Sequence, residues 1–164
     1  MDPRITFRAI RPDDASFLYE VYASTREDEL RPVPWTPAEK AAFLRQQFHA
    51  QHTCYRQHHA AARFDVIELE GRPIGRLYVD RRPDEVRIVD IALLPAHRGA
   101  GIGTGILRGL LSEAAASGRP VRIHVEQTNP ARRLYQRLGF VRIADHGIYQ
   151  LLECTPASSR TATT

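Results

Sequence analysis

The sequence predicts a single α+β domain built on a mixed central β-sheet flanked by helices, and three observations carry that prediction. Its 164 residues suit one domain with a sizeable core. Three β-rich runs follow one another in mid-chain, parted by turns of a few residues, which marks an antiparallel meander. Further on, an apolar run, a helical stripe and a second apolar run succeed each other, which marks a βαβ unit with parallel strands and a right-handed crossover. The predicted order is β-α-α-β-β-β-α-β-α-β-β. A doubly wound nucleotide fold would alternate strand and helix from the start, and this order does not.

ITFRAI, residues 5–10, alternates apolar and polar side chains, as a half-buried or edge strand does. Asp13 and Asp14 start a helix through about Ser24, and residues 26–35, with prolines close by, read as a loop. At Thr36-Pro37-Ala38-Glu39 a capping threonine, a proline at the first helical position and a glutamate at the third mark a helix start. This second helix runs to about Tyr55. FDVIEL (64–69), IGRLYVD (74–80) and EVRIVDIALL (85–94) are the meander strands. In the third, the apolar phase slips near Asp90, which indicates a β-bulge or a strand buried on both faces. Ile102, Ile106, Leu107, Leu110, Leu111, Ala114 and Ala115 form a helical stripe that Ser117-Gly118 ends. VRIHVE (121–126) is a strand, and Asn129-Pro130 opens a short helix that Gly139 stops. FVRIAD and GIYQLLE close the sheet, and the small polar residues 155–164 are expected to be a disordered tail.

Composition narrows the function classes. Hydrophobic residues make up 43% and charged residues 26%, an ordinary globular balance. No apolar run reaches the length of a membrane span, and the N-terminus lacks an apolar leader core, so no membrane association and a cytoplasmic location are expected. Cys54 and Cys154 sit in no paired pattern, so neither a disulfide nor a zinc framework is expected. The net charge is +4, but the arginines are scattered along the chain. An anionic small ligand explains that sign as well as nucleic acid does, and no nucleic-acid partner is expected.

HRGAGIGTGI, residues 97–106, places Gly99, Gly101, Gly103 and Gly105 between a strand and a helix. Bare backbone at a helix N-terminus, with unpaired N–H groups and a partial positive charge, suits a phosphate. The dinucleotide fingerprint needs a Gly or Ala at the sixth position, where Gly99, Gly101 and Gly103 find Thr104, Ile106 and Arg108. A Walker loop needs Gly-Lys, which the chain lacks. NAD and ATP fall behind. A tight turn with close helix–strand packing is the bland alternative.

Arg98-x-x-Gly101-x-Gly103 resembles the pyrophosphate loop of the GNAT (GCN5-related N-acetyltransferase) superfamily, [QR]xxGx[GA]. IALLPAHRGAGIG (91–103) is similar to that family's strand, loop and helix start. Asn129-Pro130-Ala131-Arg132-Arg133-Leu134-Tyr135-Gln136-Arg137-Leu138-Gly139-Phe140 is similar to its second motif, N-x-A-x-x-L-Y-x-x-x-G-F. The resemblance implies an acyl-CoA N-acyltransferase fold over about residues 4–154 and transfer of an acetyl group from acetyl-CoA to a primary amine, on a small molecule or a peptide.

The resemblance also implies roles. The backbone of Arg98, Gly99, Ala100, Gly101, Ile102, Gly103 and Thr104 would hold the pyrophosphate. Ile91, Ala92 and Leu93 would pair with the pantetheine arm, Asn129 would contact it, and Tyr135 would protonate the leaving thiolate. By itself, Asn129 reads as a helix cap and Tyr135 as core. The general base stays open among His124, Glu126, Asp90 and water; His124 has a suitable ordinary pKa but reads equally as a packed or surface strand residue. His49, His52, His58 and His59 have no ligand-spaced partner and read as a solvated helix face, and no metal is expected. Glu27, Asp28 and Glu29 would attract a cationic acceptor or simply solvate a loop. Arg76 and Arg87 would receive a substrate carboxylate or lie on the sheet surface. A homodimer is common for the fold, and no residue demands one. A non-catalytic acyl-CoA-binding or regulatory domain of the same fold is the alternative.

Overall fold

The structure, a computed structural model, describes residues 1–156. Residues 157–164, most of the expected tail, lie outside the described residues. The elements follow the predicted order: β1 (Ile5–Ala9), α1 (Ala15–Leu30), α2 (Pro37–His58), β2 (Arg63–Leu69), β3 (Arg72–Arg81), β4 (Val86–Leu93), α3 (Ile102–Ala116), β5 (Val121–Glu126), α4 (Arg132–Arg137), β6 (Val141–His146) and β7 (Tyr149–Cys154). Short 3-10 turns at Pro12–Asp14 and Pro95–His97 precede α1 and follow β4. The strands form one sheet in the order β1-β2-β3-β4-β5-β7-β6. Its β4–β5 pair is parallel, and β1–β2, β5–β7 and β6–β7 are antiparallel.

By its contacts the chain divides into two compact units, and β3 and β4 each run from one into the other. The first unit holds Pro3–Tyr78 and Asp90–Arg98. Leu18 and Tyr22 of α1, Phe48 of α2 and Val66 of β2 form a core cluster there, with Ile10, Phe17 and Leu44 packed against it. The start of α2 is fixed as its sequence predicts: Glu39 N–H donates to Thr36 Oγ1 at 3.1 Å, and Thr36 N–H donates to Glu39 Oε1 at 3.4 Å. Helix α1 corrects the sequence reading, because it continues to Leu30 through residues expected to be loop. Its last turns lack an apolar stripe and are held by ion pairs at i, i+3 spacing, Arg26–Glu29 at 3.2 Å and Asp28–Arg31 at 3.0 Å. Glu27, Asp28 and Glu29 therefore sit on a helix.

The second unit holds Met1–Asp2, Val79–Val89 and, among the described residues, the chain from Gly99 to Pro156. Helix α3 buries Ile106, Leu107, Leu110 and Ala114, and β5 buries Val121, Ile123 and Val125. Burying about half a dozen such side chains, at roughly 1.5–3 kcal/mol each, is what seats this helix on its strand. The β4–β5 register runs from Val86↔Val121 to Ile88↔Ile123 and stops there. Strand β5 keeps its ladder with β7 through Glu126↔Tyr149. The phase slip foreseen near Asp90 corresponds to a change in burial: Val86 and Ile88 are buried and Arg87 partly so, and from Val89 to Leu93 every residue is half-buried.

Candidate functional site

The end of β4 is held by three features of its own unit. An added Cβ on Gly75 of β3 would collide with the Ala92 carbonyl and would lie 2.9 Å from Leu93 Cδ2, so only glycine admits so close an approach. Leu94 N–H donates to Ile74 O at 2.8 Å. Arg98 reaches back, its Nε donating to Leu93 O at 2.9 Å and its Nη2 to Ser24 Oγ of α1 at 3.2 Å. The side chain of Arg98 is thus spent on seating the strand.

Just upstream lies a network that sequence reasoning missed. Arg76 is 3% exposed and grips Asp90 with two hydrogen bonds, Nε to Oδ1 at 3.3 Å and Nη2 to Oδ2 at 2.8 Å. From α2, Tyr55 OH donates to Asp90 Oδ2 at 2.8 Å and Gln51 Oε1 accepts from Arg76 Nη2 at 3.0 Å. The guanidinium also lies over the Tyr78 ring, 5.3 Å from its centroid. Neighbouring charges hold the Arg76 pKa above its ordinary value despite burial, which works against it. Arg76 is neither a free carboxylate receptor nor a surface residue, and both Asp90 oxygens are engaged. The pattern Arg76…Asp90 on neighbouring strands was the available signal, but pairing register could not be read from the sequence.

On α2, His52 Nε2 accepts from Arg56 Nε at 3.1 Å, and burial, followed by the Arg56 charge, pushes the His52 pKa down. Among the described residues no three His, Cys, Asp or Glu side chains gather in a metal-holding group.

In the second unit, Gly99 and Gly101 adopt φ of +76° and +84°, a region that L side chains rarely occupy. Gly101 is the N-cap of α3 and offers no capping side chain, and the first turn carries no acidic residue. The first intrahelical bond at this end is Gly105 N–H to Gly101 O at 3.0 Å, so the N–H groups of Ile102, Gly103 and Thr104 have no intrahelical acceptor. Nothing lies within 4 Å of where a Cβ on Gly99 or Gly101 would be. The fifteen-residue helix thus presents an uncapped, electropositive end to open space.

Asn129 precedes α4, and its Oδ1 accepts from Ala131 N–H at 2.8 Å, so it makes an Asx turn before the helix. Its Nδ2 group has no hydrogen-bond partner among the described residues. Tyr135 is 4% exposed and packs edge-on against Phe140, with centroids 5.5 Å apart. His124, exposed on β5, has Nδ1 3.2 Å from Arg87 Nη1 and its ring 5.3 Å from that of His146. A guanidinium only donates, so the imidazole accepts at Nδ1. Glu126 lies two residues on, half-buried on the same strand face. The second unit therefore holds Gly99 to Thr104, His124, Glu126, Asn129 and Tyr135, and the first holds Asp90 to Leu93 and Arg98.

Comparison with known proteins identifies the family. The acetyltransferase (GNAT) family model matches residues 18–140. Mycothiol acetyltransferase of Thermomonospora curvata is 33% identical over 88 residues, covering 52% of this chain and 30% of that protein. The [ribosomal protein bS18]-alanine N-acetyltransferase of Haemophilus influenzae is 34% identical over 58 residues, covering 35% of this chain and 40% of that one. The chain thus spans less than half the length of these curated relatives. The PaiA N-acetyltransferase of Thermoplasma acidophilum, solved in complex with coenzyme A, shares the fold with a TM-score of 0.68 at 16% identity, over 92% of this chain and 98% of that one. With the family model spanning most of the sequence, both glycine-loop and Asn–Tyr motifs included, this chain belongs to the acetyltransferase (GNAT) family.

Proposed function

We propose that the protein is an N-acetyltransferase that transfers an acetyl group from acetyl-CoA to a primary amine by direct attack on the thioester. The observation that carries this reading is the uncapped N-terminus of α3 behind two positive-φ glycines, open in front. It is suited to a pyrophosphate through main-chain N–H groups and the helix dipole. In this reading Arg98 to Thr104 hold the pyrophosphate with backbone N–H groups. The main chain of Ile91, Ala92 and Leu93 pairs with the pantetheine arm. Asn129 donates to the arm through its Nδ2. The β4–β5 ladder ending at Ile88↔Ile123, although both strands run on, supports a β4 main chain available for that pairing.

In the reaction the amine nitrogen bonds to the thioester carbon and the carbon–sulfur bond breaks. The amine must arrive neutral, and a lysine-type amine has a pKa of about 10.4. His124 takes the amine proton, at Nδ1 once the Arg87 guanidinium moves off that atom. Tyr135 OH gives a proton to the departing thiolate, and the products are the amide and free CoA thiol. The acceptor class is a small-molecule or peptide amine, in keeping with relatives named for mycothiol and for a ribosomal-protein alanine. The pH–rate profile of His124→Gln checks the base: its low-pH limb should flatten, and an unchanged profile would remove His124 from the role.

Calorimetric titration tests the reading. Acetyl-CoA should bind at micromolar Kd, with neither NAD nor ATP competing. Gly101→Asp should abolish binding, because it adds a like-signed charge and a Cβ at φ +84°. Retained binding in Gly101→Asp, displacement by NAD or ATP, or no acetyl-CoA binding at all would overturn it.

A further inference from the structure

Beside the β4–β5 pair of the second unit, the buried carboxylate of Glu85 is shared by three arginines. Its closest partner is Arg122, with Nη1 2.8 Å from Oε2. Arg87 Nη2 lies 3.1 Å from Oε1, and Arg82 Nη1 lies 3.4 Å from the same oxygen. Arg122 and Arg82 each hold a second carboxylate, Glu153 at 2.7 Å and Asp80 at 3.0 Å. Arg87 holds none besides Glu85 among the described residues. Its Nε–H is buried with no acceptor, and its Nη1 lies 3.2 Å from His124 Nδ1, a neutral acceptor. A buried N–H left unanswered is costly, and a carboxylate is a stronger acceptor for a guanidinium than an imidazole nitrogen is. Arg87 is thus the arginine of this cluster with capacity for a further anion. It also stands on the nitrogen that the proposed reaction needs.

We propose that Arg87 selects the acceptor: an amine that carries a carboxylate within a few bonds of its nitrogen, which draws the Arg87 guanidinium off His124 Nδ1. The inference rests on the acetyltransferase reading with His124 as base. With no acceptor bound, Nδ1 accepts from Arg87 and cannot take a proton. His124 is exposed, so an acceptor reaches this edge of the strand pair from solvent. As its carboxylate arrives, Arg87 turns to it, and the Nε–H leaves the position where nothing answers it. Glu85 keeps Arg122 and Arg82 throughout, so the turn strands no buried charge. One proton then passes from the acceptor ammonium to Nδ1, the amine nitrogen regains its lone pair, and no other bond changes in this step. An amine without the carboxylate meets a base that is still covered.

Release of CoA thiol from acetyl-CoA is measured with glycine, β-alanine, γ-aminobutyrate and L-leucine, each beside its own carboxamide. The carboxamides have the less basic amines, more of which are neutral at a given pH, so the comparison runs against the expected result. In at least one pair kcat/KM should favour the carboxylate by about tenfold or more, the scale of one hydrogen bond to a charged group. Arg87→Met should bring that ratio to within about twofold, because it removes this one charged hydrogen bond. It should do so partly by raising the rate with the carboxamide, since it uncovers Nδ1, a gain that damage to the fold would not produce. Arg87→Lys, which keeps the charge, should fall between the two. The acetyl-CoA Kd checks that both variants are folded. Carboxamides equal to or better than carboxylates in every pair, no turnover of any carboxylate, or a ratio unmoved in Arg87→Met would each overturn the proposal. Turnover of carboxamides by a protein that binds acetyl-CoA would overturn this proposal alone, whereas failure to bind acetyl-CoA would remove the underlying reading with it.

Discussion

Tyr135 is a packed core residue to which the proposed reaction also assigns a chemical role. Its ring is buried and braced edge-on by Phe140, and the short helix that carries it is preceded by the Asn129 Asx turn. Phenylalanine keeps that packing and removes only the hydroxyl. Tyr135→Phe should therefore leave the acetyl-CoA Kd within about twofold and lower kcat by roughly a hundredfold, the scale of one proton-transfer group. Calorimetry and steady-state rates check the two halves separately. Unchanged kcat would assign Tyr135 to the core alone, and an intact Kd with no turnover even in the parent protein would favour a non-catalytic binding domain. The candidates for the base differ in the same local terms. Asp90 has both oxygens bonded, by Arg76 and Tyr55, whereas His124 is exposed and its Nδ1 lies against Arg87 of the neighbouring strand, which is itself paired with Glu85.

At the scale of elements, what could be read from the sequence was local chemistry. The α2 start rests on Thr36, Pro37 and Glu39, and the α3 stripe on apolar spacing, and both stand as the residues dictate. The end of α1 was misread because charge pairs, not an apolar face, hold its last turns. The glycine loop stood out by its spacing and the Asn129–Phe140 segment by its resemblance to a family motif, whereas the Arg76–Asp90–Tyr55 network did neither, because it joins residues 14 and 35 positions apart. Gly75 belongs to the same class: nothing in IGRLYVD says which strand lies against it. Its close approach to Ala92 and Leu93 predicts an unequal pair of glycine variants. Gly75→Ala should destabilise by roughly 1–3 kcal/mol, because β4 has to shift. Gly109→Ala, within α3 and facing open space, should stabilise by roughly 0.5–1 kcal/mol. Urea denaturation of both variants measures the difference. Equal effects would mean that β4 is not seated by the Gly75 approach.

At the scale of the whole molecule, the balance of charge sets an acid limit. The chain carries +4 with its seven histidines neutral, so each proton gained on acidification adds to a charge of the same sign. His52 supplies the first step. Burial and Arg56 hold its folded pKa below the ordinary 6.5. The unfolded chain therefore takes up this proton first as pH falls, and the folded state loses stability from about pH 6.5 down to its own lower pKa. The slope there cannot exceed about 1.4 kcal/mol per pH unit for one site. Asp14 and Glu113 supply the second step with the opposite shift origin. The Arg8 hydrogen bonds hold Asp14 below 3.8 and the Arg81 hydrogen bonds hold Glu113 below 4.5, so each stabilises the fold above those values and loses that contribution as pH falls through the folded pKa. Melting temperature against pH should stay level above neutrality, fall gently below about 6.5, and fall more steeply below about 4.5. His52→Gln keeps an acceptor for Arg56 but cannot titrate, and it should remove the gentle step alone. A gentle step that survives in full in that variant would place its origin in the exposed histidines and their summed repulsion instead.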